Sequence, residues 1–153
     1  MFLDNVSNAT RMPVLVVLAG MLLAVAVGCG PTAPFDIIPV TGKVTYEDGT
    51  TIPADRIEVI FNPQTEPIDQ KTYPRQGAAE VNTADGTFSA MTTWKYGDGA
   101  TVGPNKVTVI SYDADENITD AVPEIYRDPE TTPLGEVEVG SGSTHFEFKI
   151  KKE

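Results

Sequence analysis

Few residue types in this chain could carry catalytic chemistry. The sequence contains one cysteine, Cys29, and one histidine, His145. Nucleophilic catalysis needs a base beside a serine or cysteine, and usually a third group that orients the base. Because His145 alternates with Phe146 and Phe148, we expect its side chain to face solvent while the two phenylalanines face the core. The sequence therefore predicts a protein that is not an enzyme and that uses no cofactor.

An acidic segment, residues 113–124, has the oxygen spacing of a calcium-binding loop. Oxygen-bearing side chains occupy positions 1, 3, 5, 7 and 12 of an EF-hand loop, at Asp113, Asp115, Asn117, Thr119 and Glu124. Against an EF-hand, Ile118 stands where that loop needs glycine, and no helices are predicted on either side. Calcium binding of some kind stays open, and a solvated loop is the alternative.

Two aromatic residues lie beside a glycine-rich turn. Trp94 and Tyr96 precede Gly97-Asp98-Gly99, so both rings could lie on one side at the mouth of a loop. Exposed aromatic rings of this kind bind carbohydrates or peptides, whereas packing in the core is the alternative. We therefore treat Trp94 and Tyr96 as a candidate ligand site.

The N-terminal segment has the features of an export signal. Residues 14–27 are an unbroken apolar run, preceded by Arg11 and followed by Gly28 and Cys29. As a helix the run would be about 21 Å long, which is short for a hydrocarbon core of about 30 Å. The residues 26–29, Ala-Val-Gly-Cys, resemble the lipobox of bacterial lipoproteins, which implies cleavage before Cys29 and a diacylglycerol on its thiol. An ordinary secretory signal with a chance cysteine is the alternative.

This interpretation divides the chain into three parts. Residues 1–28 are the predicted lipoprotein signal peptide, residues 29–39 a lipidated, proline-containing tether, and residues 40–153 a single domain. The lipid on Cys29 would attach the domain to a membrane of the cell envelope. The formal net charge of −11 argues against nucleic acid as a partner, because phosphate binding needs clustered Lys and Arg.

Apolar and polar residues alternate over most of the predicted domain. Strands are predicted over 40–46, 56–61, 77–82, 87–92, 105–112, 136–139 and 144–150, separated by turn sequences. Asp85-Gly86 predicts a hairpin between the third and fourth of them. Seven short strands without a long amphipathic helix indicate an all-β fold, a Greek-key sandwich. We expect Val107, Val109, Phe146 and Phe148 in its core.

Several of these segments resemble one family. Residues 40–50, Val-Thr-Gly-Lys-Val-Thr-Tyr-Glu-Asp-Gly-Thr, are similar to the opening strand and turn of carboxypeptidase regulatory-like and transthyretin-like domains. Residues 85–88 and 102–109 are similar to the later hairpin and strand of those domains, and residues 123–134 to a segment of small bacterial lipoproteins that carry them. The resemblance implies a seven-stranded, prealbumin-like sandwich. It implies little about activity, and the hydrolase branch of that fold needs more histidines than this chain has.

The sequence thus predicts a lipid-anchored cell-envelope lipoprotein whose domain is a non-catalytic binding or structural module. A carbohydrate- or peptide-binding lipoprotein is the alternative, and an enzyme is disfavoured. An envelope protein or a glycan is the expected partner besides the membrane.

Overall fold

The predicted alternation does produce strands, and the described part of the chain is all-β apart from one short 3-10 helix. The computed structural model describes residues 32–152. Its elements are β1 (Ile37–Ile38), β2 (Thr41–Tyr46), β3 (Arg56–Pro63), β4 (Gly77–Glu80), β5 (Thr87–Phe88), β6 (Ala100–Thr101), β7 (Gly103–Tyr112), the 3-10 helix (Glu124–Tyr126), β8 (Glu136–Val139) and β9 (His145–Ile150). Within residues 32–152 no helix is long and apolar enough to cross a membrane.

The strands of the described residues form three sheets. The largest has the order β4-β3-β7-β8, the second has the order β5-β2-β9, and β1 pairs with β6 alone. Neighbours in the largest sheet are antiparallel, whereas β2 and β9 are parallel along all six residues, from Thr41 opposite His145 to Tyr46 opposite Ile150. Nine strands replace the predicted seven, because β1 and β6 are two-residue strands that have no alternating pattern.

The core joins the two larger sheets. Val107 and Val109 on β7 are fully buried, as predicted, and β7 lies between β3 and β8. Phe61 on β3 contacts three aromatic rings of the other sheet: the centroid distances are 6.4 Å to Phe88, 5.4 Å to Phe146 and 5.9 Å to Phe148. These contacts hold the sheets together as a sandwich-like pair.

Phe146 packs against the core but is only partly buried, so the prediction that it is buried was wrong, whereas Phe148 is buried as predicted. Phe146 is the second residue of β9, opposite Gly42 in the register with β2. In the sheet order β5-β2-β9 of the described residues, β9 lies at the edge, so Phe146 has a neighbouring strand on one side. A Cβ added at Gly42 would meet the Phe146 carbonyl oxygen and the Phe88 ring, so this close approach requires glycine.

The predicted hairpin over residues 77–92 is divided between the two sheets. Gly86 has φ +79°, as expected for the Asp-Gly turn, and the Asn82 N–H donates to the Thr87 carbonyl. The two arms also pair at Val81 with Phe88 and at Ala78 with Thr92, so the hairpin forms. However, β4 pairs further with β3 while β5 pairs with β2, and β5 ends at Phe88. The chain therefore uses this turn to pass from one sheet to the other.

The end of the predicted tether contacts the domain. Ile37 and Ile38 form β1 and pair with Thr101 and Ala100, and the Asp36 carbonyl accepts the Val102 N–H. Both isoleucines are half-buried, so apolar burial holds this segment against β6. β1 fixes the place at which the chain enters the domain.

Candidate functional site

A small apolar cleft lies where the chain enters the domain. Its cavity volume is about 10 Å³, and its lining combines the entering segment with a loop before β4 and a turn before β6. The residues that define it are Phe35, Ile37, Tyr73, Arg75, Trp94 and Thr101. Trp94 is thus part of a concave surface, as the candidate ligand site requires.

The turn that carries Trp94 and Tyr96 is built by one carboxylate. The oxygens of Asp98 accept the N–H groups of Thr93, Trp94 and Lys95 at 2.9, 3.0 and 2.7 Å. The Thr93 hydroxyl donates to the Gly99 carbonyl at 2.6 Å. These bonds satisfy backbone groups that no strand pairs, so they set the conformation of the turn.

Trp94 is held in place by an arginine. The Arg75 guanidinium lies 4.1 Å from the centroid of the Trp94 ring, which is cation–π geometry. The backbone carbonyl of Arg75 accepts the Thr101 hydroxyl at 3.3 Å, so the arginine is itself tied to β6. Trp94 is therefore half-buried, with one ring face covered by Arg75.

Tyr96 is separate from the cleft that holds Trp94. It is 89% exposed and does not line the cleft, although it belongs to the same turn. The alternative that both rings pack in the core does not fit their exposure. Tyr73, which is 63% exposed, joins Trp94 in the cleft instead. Neither Tyr73 nor Phe35 was predicted, since each comes from a proline-containing segment without periodicity.

In the acidic segment, residues 113–124, the Asp113 carboxylate accepts hydrogen bonds from the segment itself. Asp113 Oδ1 accepts the N–H groups of Asp115 and Asn117, both at 2.9 Å, and Asp113 Oδ2 accepts the Asn117 side-chain N–H at 3.1 Å. These bonds hold the pKa of Asp113 below its usual value, and the bond from the Asn117 side chain has the largest effect. Asp113, Asp115 and Asn117 therefore form a tight turn, and Glu124 begins the 3-10 helix.

The second half of that segment is fixed by Arg127. Its Nη2 donates to the carbonyl oxygens of Thr119 and Val122 at 2.6 and 2.8 Å and to the Asp120 carboxylate at 2.9 Å. The Ser111 hydroxyl also donates to the Thr119 carbonyl. Within residues 32–152, no group of three or more His, Cys, Asp or Glu side chains is placed to hold a metal ion.

His145 is exposed at the start of β9, as predicted. Its Nδ1 lies 3.0 Å from the Thr41 hydroxyl, across the parallel pairing of β2 and β9. Tyr112, Arg56 and Glu58 form a different cluster at the far end of β7, in which the guanidinium stacks 3.8 Å from the Tyr112 ring. The first arrangement is an exposed contact at a strand end, and the second is a half-buried cluster on the strand surface.

The predicted lipidation site, Cys29, lies outside the described residues. Comparison with known proteins adds no family: the chain matches no protein-family model, and neither the curated proteins nor the solved structures showed significant similarity to it. Its function must therefore be argued from its own residues.

Proposed function

We propose that this protein is a lipid-anchored lipoprotein of the cell envelope, whose domain is a non-catalytic binding or structural module. The observation that carries the proposal is the position of Cys29. It ends the apolar run of residues 14–27, and only three residues separate it from Ala33, the first residue of the cleft. An acylated Cys29 would hold the domain directly at a membrane surface.

We propose a prealbumin-like Greek key for the fold. Seven strands, all except β1 and β6, make up sheets of the order β5-β2-β9 and β4-β3-β7-β8. The chain changes sheet after β2, β4, β5 and β8, and the first and last of the seven strands are parallel neighbours. This order supports the resemblance to transthyretin-like domains, because it gives seven strands in two packed sheets with connections that cross between them.

The non-catalytic role is supported by the surroundings of His145. Its ring contacts Thr41, an exposed residue, at a strand end. General acid–base catalysis needs a positioned group beside a place where substrate can bind. His145 instead lies on an exposed strand beside an exposed threonine, which favours a surface role for it.

The anchor is tested with the full chain expressed in a bacterium. Mass spectrometry of the N-terminal peptide should find a chain that begins at acylated Cys29. Cys29→Ser should remove the modification and leave the uncleaved precursor. Ser143→Ala, in the turn before β9, is the matched control and should be cleaved and acylated like the native protein. A mature N-terminus at another residue, or an unmodified Cys29, would refute the proposal.

A second candidate function is the binding of a glycan or peptide through Trp94 and Tyr96. The 89% exposure of Tyr96 beside the Trp94 cleft favours it. Trp94 is the single tryptophan of the sequence, so its fluorescence reports on this site alone. Titration with cell-wall glycan fragments should shift the emission of the native protein, and Tyr96→Ser should weaken that response.

A further inference from the structure

We propose that the aromatic end of the domain rests on the bilayer surface, with Tyr73, Trp94 and Tyr96 in the headgroup region. This inference rests on the proposed anchor at Cys29. It goes further, because an anchor alone leaves open which face of the domain meets the membrane. The partner is a phospholipid surface, and the residues are those of the loop 64–76 and the turn 93–99, here called the aromatic end.

The length of the connecting chain is the first argument. Cys29 precedes Ala33 by four residues, so at most about 14 Å of extended chain links the acylated thiol to the cleft. The headgroup layer on each side of a bilayer is itself about 5–8 Å thick. Since the acyl chains begin beneath that layer, Ala33 must stay within about 10 Å of the membrane surface. The residues that share its cleft, Tyr73 and Trp94, stay there with it.

The chemistry of the exposed side chains is the second argument. Of the five large apolar side chains that are most exposed in residues 32–152, three belong to the aromatic end: Ile68 at 63%, Tyr73 at 63% and Tyr96 at 89%. Tryptophan and tyrosine favour the membrane–water interface, where the ring is apolar and the polar group stays hydrated. The cavity volume of the cleft, about 10 Å³, is far below the roughly 300–1,000 Å³ of ligand pockets, which favours a flat surface over an enclosed ligand.

Charge is the third argument. In the loop 64–76, Lys71 and Arg75 balance Glu66 and Asp69, and in the turn 93–99 Lys95 balances Asp98, so the aromatic end is neutral in a chain of net charge −11. An anionic bilayer repels it less than it repels the rest of the domain.

The far end of the domain is more acidic. Residues 113–124 carry five carboxylates. Arg56 pairs with Glu116 and Arg127 with Asp120, so within residues 32–152 three of the five have no such ion pair. Residues 113–124 follow the end of β7, whose ten residues span about 33 Å, whereas Thr101, beside the start of β7, lines the cleft. The domain is therefore polarised along β7, and docking by the aromatic end directs the acidic segment away from the membrane.

The experiment uses the mature protein purified from membranes and reconstituted into vesicles of phosphatidylcholine and phosphatidylglycerol. Lipidation is checked first by partition into Triton X-114. The emission of Trp94 is then compared between vesicles with ordinary acyl chains and vesicles brominated near the glycerol. We expect the brominated lipid to quench Trp94. Tyr73→Ser combined with Tyr96→Ser should recover most of the emission, and both residues are exposed enough that circular dichroism should show an unchanged fold.

The matched control is Ile125→Ser. Ile125 is 49% exposed but lines a separate groove with Pro123 and Tyr126, so its substitution should leave the quenching unchanged. Equal recovery in this control would overturn the assignment of the surface. If acrylamide quenches Trp94 and brominated lipid does not, the membrane contact is refuted while the anchor stands. An emission shift caused only by soluble glycans would also refute the membrane contact and leave the anchor standing. Protein that stays in the aqueous phase of Triton X-114 would refute the anchor and this inference together.

Discussion

Phe61 should be the side chain on which the association of the two sheets depends most. It is fully buried on β3 of the four-stranded sheet, and its ring contacts Phe88 on β5 and both phenylalanines of β9. Two of the three contacts are edge-to-face, at interplanar angles of 65° and 71°. Phe61→Ala removes all of them in one substitution and opens a cavity between the sheets.

The magnitude follows from this burial. Truncating a buried phenylalanine to alanine costs about 3–5 kcal/mol, and the upper half of that range applies because three aromatic contacts are lost. A domain of this size unfolds with a free energy of about 5–15 kcal/mol, so the variant should still fold in most of that range. With a urea dependence of about 2 kcal/mol per molar, the midpoint should fall by about 2 M.

Urea unfolding, followed by circular dichroism, checks this prediction. Phe61→Leu, which keeps most of the volume and loses the ring contacts, should cost about 1–1.5 kcal/mol. Tyr96→Ala is the control, since an exposed side chain should change the free energy of unfolding by less than about 0.5 kcal/mol. A Phe61→Ala midpoint as high as that of Tyr96→Ala would refute the argument that this residue joins the sheets.

Three further predictions follow from the strands and turns. Val109→Asp should prevent folding, since it places an unpaired charge in a fully buried position of the central strand β7; a cooperative unfolding transition at the native midpoint would contradict this. Asp98→Ala should cost about 1–3 kcal/mol and redshift Trp94 emission, whereas Asp98→Asn should keep part of the stability; an unchanged emission maximum in the alanine variant would argue against the role of Asp98. Hydrogen bonds from the Thr87 hydroxyl and N–H lower the pKa of Asp85, so its stabilising contribution is present above about pH 4 and is lost as the pH falls through the lowered value. The difference in urea midpoint between the native protein and Asp85→Asn should therefore shrink between about pH 5 and pH 2; a constant difference would count against this linkage.

The sequence was sufficient for the strands that have an alternating pattern and insufficient for those without one. β2, β3, β7, β8 and β9 lie where alternation predicted them, within two residues at each end. β1 and β6 pair with each other although more than sixty residues of chain lie between them. No local sequence pattern therefore predicts these two strands. The parallel pairing of β2 with β9 is likewise set by the whole fold. It places β9 at the edge of its sheet, where Phe146 is less buried than its alternation predicts.

The same distinction applies to the candidate site. Trp94 could be found by residue type and by its neighbouring glycines. Arg75, which covers its ring, and Phe35, which shares its cleft, come from other segments of the chain, and only folding brings them together. Asp98 was visible in the sequence only as part of a turn. Its three backbone hydrogen bonds explain why an acidic residue stands between the two glycines.

The acidity of the domain has a structural explanation that does not need a bound cation. Five aspartates accept the backbone N–H two residues later in the chain, and each thereby closes a turn of the Asx type. They are Asp48, Asp69, Asp85, Asp113 and Asp128. A chain with many short strands needs many tight turns, and aspartate both closes them and keeps the surface soluble. Turn formation therefore explains why an aspartate stands at Asp113, the first position of the oxygen spacing in residues 113–124. Of the five carboxylates in residues 113–124, Asp113 is the one that closes such a turn. Turn formation thus supplies part of the negative charge that would orient an anchored domain on an anionic membrane.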